Sequence, residues 1–97
     1  MTTVATFDIE YVQYLDPEGK LVREDLPEFA QDPARVVEVY KQRGFLRVFD
    51  GKAVNLQRTG KLGTYASCLG HEAAHVSIGT AMHEDDCFAP MYREYGA

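Results

Sequence analysis

The chain has no apolar run near the ~20 residues that a membrane-spanning helix requires, and it contains no internal repeat and no low-complexity tract. A helical membrane span and a solenoid array are thereby set aside. Basic charge is also scarce: 10 Lys and Arg stand against 15 Asp and Glu, leaving a formal charge of -5. The basic stripe that would neutralise phosphates is missing, so nucleic acid is not the expected partner. Cysteine occurs only as Cys68 and Cys87, too far apart for a CxxC redox or zinc-knuckle motif. Two free thiols in a reducing compartment are expected. Met1 to Glu10 lack the basic, apolar and small-residue blocks of a signal peptide, which points to the cytoplasm.

What is present has the balance of a globular protein, with 45% hydrophobic and 26% charged residues over 97 positions. A chain this short makes one small domain with a modest core. Phe7, Ile9, Tyr11 and Leu15 fall on one face of an extended chain, and Asp16-Pro17-Glu18-Gly19 then supplies turn chemistry before Leu21 and Val22. The pattern predicts a small hairpin or extended arm, which two strands alone would hold only marginally. Leu26 to Gln31 reads as a linker. Asp32-Pro33 is a strong helix start, an N-cap carboxylate followed by proline at the first helical position. Val36, Val37, Tyr40, Gly44 and Val48 recur at helical spacing from there, with Arg35, Lys41, Arg43 and Arg47 on the opposite side. The pattern runs on to Leu56 as one long helix of roughly six turns. Gly51 weakens it by about 1 kcal/mol without breaking it.

Between Thr59 and Leu69 the chain is punctuated by Gly60 and Gly63 and reads as a loop. A second helix is expected from about Gly70 to His83. Its many small residues, among them Ala73, Ala74, Gly79 and Ala81, suit close approach by another backbone, expected to lie outside these 97 residues. Glu84-Asp85-Asp86 places acid where a helix C-terminus disfavours it and so marks the exit. Phe88 to Tyr92 continues as a short extended stretch, and a chain stopping at Gly96-Ala97 is expected to be a truncated one.

His71-Glu72-Ala73-Ala74-His75 matches HExxH. On a helix the two histidines share a face and could hold one zinc ion while Glu72 serves as general base. Glu94 would be a third ligand and His83 a further candidate. The longer metzincin pattern fails, because Ile78 and Ala81 stand where glycine and histidine are needed. A helical binding module with no catalysis is the third alternative.

A wider resemblance weighs against zinc. Phe49-Asp50-Gly51-Lys52-Ala53, then Leu56 to Ser67, then Gly70-His71-Glu72-Ala73, then Pro90-Met91-Tyr92-Arg93-Glu94-Tyr95-Gly96-Ala97 occur in this order in one family. The chain resembles the alpha subunit of the thiamine-diphosphate-dependent decarboxylating component of pyruvate and branched-chain 2-oxo acid dehydrogenase complexes. The Tyr14 to Gly19 turn also fits that subunit's N-terminal arm. In this family His71 is commonly glutamine and His75 lies at a variable site, so the zinc-like pair is a coincidence of spacing.

The resemblance implies that Tyr92 and Arg93 contact the cofactor's diphosphate, a task suited to arginine's fixed fork of donors. It places Thr64 and Tyr65 beside the substrate pocket. Many relatives carry phenylalanine at the Thr64 position, so this departure blurs substrate choice, although the run Gln57 to Gly63 is the more pyruvate-like. It assigns Gly70-His71-Glu72 a structural role behind that pocket. It implies thiamine diphosphate with magnesium whose ligands lie outside this segment, a beta subunit carrying the activating glutamate, and a lipoyl acyltransferase as acyl acceptor. No catalytic residue and no metal ligand is expected here, and the segment alone should be inactive. The parent subunit would be α/β. The segment itself is expected to be mainly α: an arm, hairpin and linker over residues 1–31, then helix, glycine-rich loop, helix and cofactor-edge loop over 32–97. A missing transit peptide points to a bacterial cytoplasm.

Overall fold

A computed structural model describes residues 1–97. Its regular elements are a 3-10 turn, Glu28–Gln31, and two α-helices, α1 (Pro33–Arg58) and α2 (Glu72–Ala81). The chain separates into two compact units, Met1–Gln31 and Asp32–Ala97.

In the first unit the turn chemistry is realised and the strands are not. Gly19 takes φ +81°, its N–H donates to the Asp16 carbonyl at 3.0 Å, and the Asp16 carboxylate accepts the Lys20 N–H at 2.7 Å. A single antiparallel bridge pairs Leu15 with Leu21. The hairpin stops there. Residues 1–13 adopt no regular structure, and Phe7, Ile9 and Tyr11 are exposed. Alternation makes a strand only where a partner covers the apolar face, and none does so here. The stretch read as a linker contains the 3-10 turn, tied by Gln31 Nε2 to the Leu26 carbonyl at 3.0 Å.

In the second unit α1 begins as its cap chemistry dictates. The Asp32 side chain accepts the Ala34 N–H at 3.0 Å, and Pro33 occupies the first turn, where no intrahelical N–H bond is needed. The helix passes through Gly44 and Gly51 for 26 residues, about 39 Å and slightly longer than expected. It ends in a Schellman arrangement. Gly60, at φ +74°, donates to Gln57 O at 3.0 Å, and Lys61 donates to Leu56 O at 2.9 Å. The second helix ends two residues before His83.

The buried face of α1 differs from the one its apolar spacing suggested. Val37, Tyr40 and Val48 are half-exposed or more, whereas Leu46, Asp50 and Ala53 are buried, with Val39 packed beside them. The packed stripe carries a carboxylate at its centre, so apolar periodicity alone selects the wrong side. Leu46, Cys68 and Val76 form the small core between α1 and α2. Both cysteines are free.

Close backbone approaches occur at Gly79 and Gly96. A Cβ on Gly79 would lie 2.9 Å from the Ala97 carbonyl carbon, and one on Gly96 would run into Leu46 Cδ2 and lie 3.0 Å from His75 Cβ. Ala73, Ala74 and Ala81 of α2 are exposed. No helix is long and apolar enough to cross a membrane.

Candidate functional site

Asp50 organises the centre of the second unit. Its side chain is almost wholly buried, one turn before Ala53 on the inner face of α1. Three donors from the loop converge on it: Tyr65 Oη at 2.7 Å, Ser67 Oγ at 2.6 Å and the Cys68 N–H at 2.9 Å. Burial works to raise the carboxyl's pKa, but the bonds from Ser67, Cys68 and Tyr65 outweigh it and hold the group at about 2. Burial, with the bond to Asp50 added to it, raises the Tyr65 phenol above its ordinary value. Burial, with the Asp50 carboxylate beside it, pushes the Cys68 thiol up to about 11, leaving it a protonated core group rather than a nucleophile. Nothing in the apolar or glycine pattern marked Asp50. The available signal was a single acid three and four residues from Ala53 and Leu46 on a helix whose following loop is rich in hydroxyls.

Glu72 performs a related task at the start of α2. Oε1 accepts from Arg47 Nε at 2.7 Å and Oε2 accepts from the Gly70 N–H at 2.9 Å. The Arg47 hydrogen bond is the main reason its carboxyl sits at about 2. A carboxylate so committed is a poor general base near neutral pH.

The histidines of the HExxH motif are separated by environment. His71 is exposed and precedes α2; His75 is buried at 3% exposure, and its Nδ1 has no hydrogen-bond partner. Their rings meet edge-on with centroids 5.7 Å apart. Glu94 is engaged locally, its Oε2 accepting the Met91 N–H at 2.7 Å. The structure gathers no set of three or more His, Cys, Asp or Glu side chains able to hold a metal ion, so His71, His75 and Glu94 are not brought together. His83 lies in a separate turn, where its N–H donates to Asp86 Oδ2 at 2.8 Å.

Tyr92 and Arg93 stand on the turn between Met91 and Glu94, which is closed reciprocally by Glu94 N–H to Met91 O and by Met91 N–H to the Glu94 side chain. Both side chains face solvent, and the Arg93 guanidinium lies 5.7 Å from the Tyr92 ring centre. The chain's two ion pairs are Arg23–Asp25 and Arg47–Glu72, so Arg93 has no acidic partner. A free guanidinium next to a free phenol on a fixed turn is a donor set that fits a diphosphate. Thr64 is exposed. Tyr65 is not open in the same way: its hydroxyl is held by Asp50, and its ring stacks on Tyr95 with centroids 5.2 Å apart and planes inclined by 17°. That stack joins the two loops on which the candidate substrate and cofactor residues lie.

Known proteins share this chain's pattern. The family described as dehydrogenase E1 component matches residues 40–97. The chain is 35% identical over 86 residues to the pyruvate dehydrogenase E1 component subunit alpha of Staphylococcus epidermidis, covering 88% of this chain and 23% of that protein. Identity and coverage are the same for the corresponding subunit of Staphylococcus aureus. The chain therefore spans about a quarter of the length of the curated relatives it matches. No solved structure matches it.

Proposed function

The chain belongs to the dehydrogenase E1 component family, and from that premise we propose that it is the N-terminal part of a pyruvate dehydrogenase alpha subunit. In that role it contributes to oxidative decarboxylation of a 2-oxo acid with transfer of the acyl group to lipoyl groups. Its relatives are named as alpha subunits of an E1 component, which supports a beta subunit as the immediate partner and a lipoyl acyltransferase as the next. Bacterial relatives support a bacterial cytoplasm as the setting. The parent fold is read as α/β, with this helical segment at its edge.

The observation that carries the reading is the unpaired, solvent-facing Arg93 beside Tyr92 on a hydrogen-bonded turn. Thiamine diphosphate, when bound, would supply the chemistry for decarboxylating a 2-oxo acid. The work left to this chain is to hold the diphosphate: Arg93 donates in a fixed fork and neutralises charge, and the Tyr92 hydroxyl adds one donor. Thr64 faces outward from the neighbouring loop, where it would meet the substrate. No residue of this segment is assigned a proton-transfer step, and the magnesium ligands belong elsewhere in the subunit.

Titration of the full-length subunit, assembled with its beta partner, with thiamine diphosphate and magnesium tests this. Arg93→Ala should weaken cofactor binding at least tenfold, since a charge-assisted hydrogen bond contributes about 1.5–3 kcal/mol, and Tyr92→Phe should weaken it less. Cofactor affinity unchanged by Arg93→Ala in that assembly would remove the role assigned to the pair.

A further inference from the structure

Two loops that carry separate tasks in the proposed function are joined by a route that starts at a buried charge. Asp50 is fixed on α1 and offers one oxygen to Tyr65 Oη and the Cys68 N–H, and the other to Ser67 Oγ. These bonds pin the loop from 65 to 68 at three points. The Tyr65 ring, anchored through its hydroxyl, lies flat against Tyr95 at 5.2 Å. Tyr95 directly follows the turn on which Tyr92 and Arg93 stand, and the next residue, Gly96, is seated against Leu46 and His75 so closely that no side chain fits. The 91–96 segment is therefore held at two places, by a ring and by a backbone contact. The ring contact answers to Asp50.

We propose that Asp50 is a positioning residue which, through Tyr65 and its stack on Tyr95, holds the Thr64 loop and the Tyr92–Arg93 turn in fixed relation. The proposal rests on the reading of Tyr92, Arg93 and Thr64 given above for its functional meaning, though not for the coupling itself. Asp50 touches neither ligand. Its effect is to spend the Tyr65 hydroxyl on orientation, which leaves Thr64 and not Tyr65 as the outward-facing member of that loop. A stacked aromatic pair has a preferred offset and contributes beyond its buried area, so fixing one ring biases the other. In a mostly exposed segment such as 91–95, ordering by a ring stack reduces what a diphosphate would otherwise have to order on binding.

The route has a direction, and that makes it testable. Amide order parameters of Cys68 and Glu94 are measured in the full chain and in three variants: Asp50→Ala, Tyr65→Phe and Tyr95→Leu. Rigid backbone gives about 0.85 and flexible backbone falls below about 0.6. Tyr95→Leu should lower the value at Glu94 and leave Cys68 unchanged, because the Asp50 bonds remain. Asp50→Ala should lower both. Tyr65→Phe keeps the ring, and it should loosen Glu94 measurably while the Ser67 and Cys68 bonds hold the loop backbone. Where Asp50→Ala unfolds the unit, the two tyrosine variants decide alone. An unchanged Glu94 in Tyr65→Phe overturns the coupling to Asp50, and an unchanged Glu94 or a loss of order at Cys68 in Tyr95→Leu overturns the route through the stack. Thiamine diphosphate with magnesium, titrated into the full-length subunit assembled with its beta partner, separates the two ideas: affinity unchanged by Arg93→Ala removes the cofactor role and leaves the measured coupling standing. In the same assembly Tyr95→Leu should weaken cofactor affinity several-fold.

Discussion

Replacing Asp50 by asparagine isolates what its charge contributes. Asparagine keeps the shape, and its amide oxygen can still accept from Tyr65 Oη and the Cys68 N–H, which share Oδ1 in the native arrangement. Its amide nitrogen would face Ser67, whose hydroxyl can turn to accept. What is lost is the ionised acceptor, and hydrogen bonds to an ion are roughly twice as strong as neutral ones. The carboxyl falls from its ordinary value of 3.8 to about 2. At about 1.36 kcal/mol for each pH unit, that gap corresponds to roughly 2 kcal/mol as an upper figure. Bond counting gives a similar size, because three neutral donors to one anion at about 1.5–3 kcal/mol each must be reduced for shared geometry and for what asparagine retains. Asp50→Asn should therefore cost about 2 kcal/mol at pH 7, or on the order of 10 °C in Tm for a domain this small.

The pH dependence gives the sharper test. The folded-state value is depressed, so the stabilisation is fully present above about pH 4, where the unfolded carboxyl is ionised, and is lost as pH falls through about 2. Denaturant unfolding followed by far-ultraviolet circular dichroism should show the variant and the native chain converging between pH 4 and pH 2. Glu72, held at about 2 by Arg47, titrates over the same window. It does so in both proteins and cancels from the difference. A deficit for Asp50→Asn that is unchanged from pH 7 to pH 2 would refute the reasoning, since it would mean that shape and not charge carries the interaction.

Other outcomes follow from particular contacts. Gly96→Ala places a methyl against Leu46 Cδ2. Overpacking of this kind costs about 1–3 kcal/mol, and denaturant midpoints together with Leu46 methyl shifts should show either that loss or release of the final residues from α1. His75→Leu removes a buried Nδ1 with no partner. Its Tm should be unchanged or higher, because an unsatisfied buried polar group costs about 1–3 kcal/mol, and a fall of several degrees would show that the nitrogen has a partner in solution.

Legibility in the sequence followed the range over which each feature is decided. The start of α1 was readable because Asp32 and Pro33 act on N–H groups within one turn, and the reversal at Gly19 was readable for the same reason. Each needs only its neighbours. The inner face of α1 was not readable, because Asp50 is acceptable in a core only after Tyr65, Ser67 and Cys68 arrive from a loop 15 to 18 positions later. A pattern that scores carboxylates as solvent-facing must place Val37, Tyr40 and Val48 inside, and they are outside. The residues proposed to meet ligands fall between these cases. Tyr92 and Arg93 could be named from the sequence through family resemblance, but their connection to Thr64 through the Tyr65–Tyr95 stack is a fact of three-dimensional placement.

The HExxH stretch shows why spacing without environment misleads. Helical spacing does put His71 and His75 near one another, with rings 5.7 Å apart. A shared metal also needs both imidazoles open to one point and a nearby carboxylate free to take a proton. Here one ring is exposed and the other buried. The carboxylate in between is spoken for by Arg47, 25 positions earlier on α1, and by the Gly70 N–H. That ion pair fastens α2 to α1, so freeing Glu72 for chemistry would loosen the helix that presents the histidines. The same three residues serve a zinc site only where some other contact joins the helices, and in this chain Glu72 is that contact.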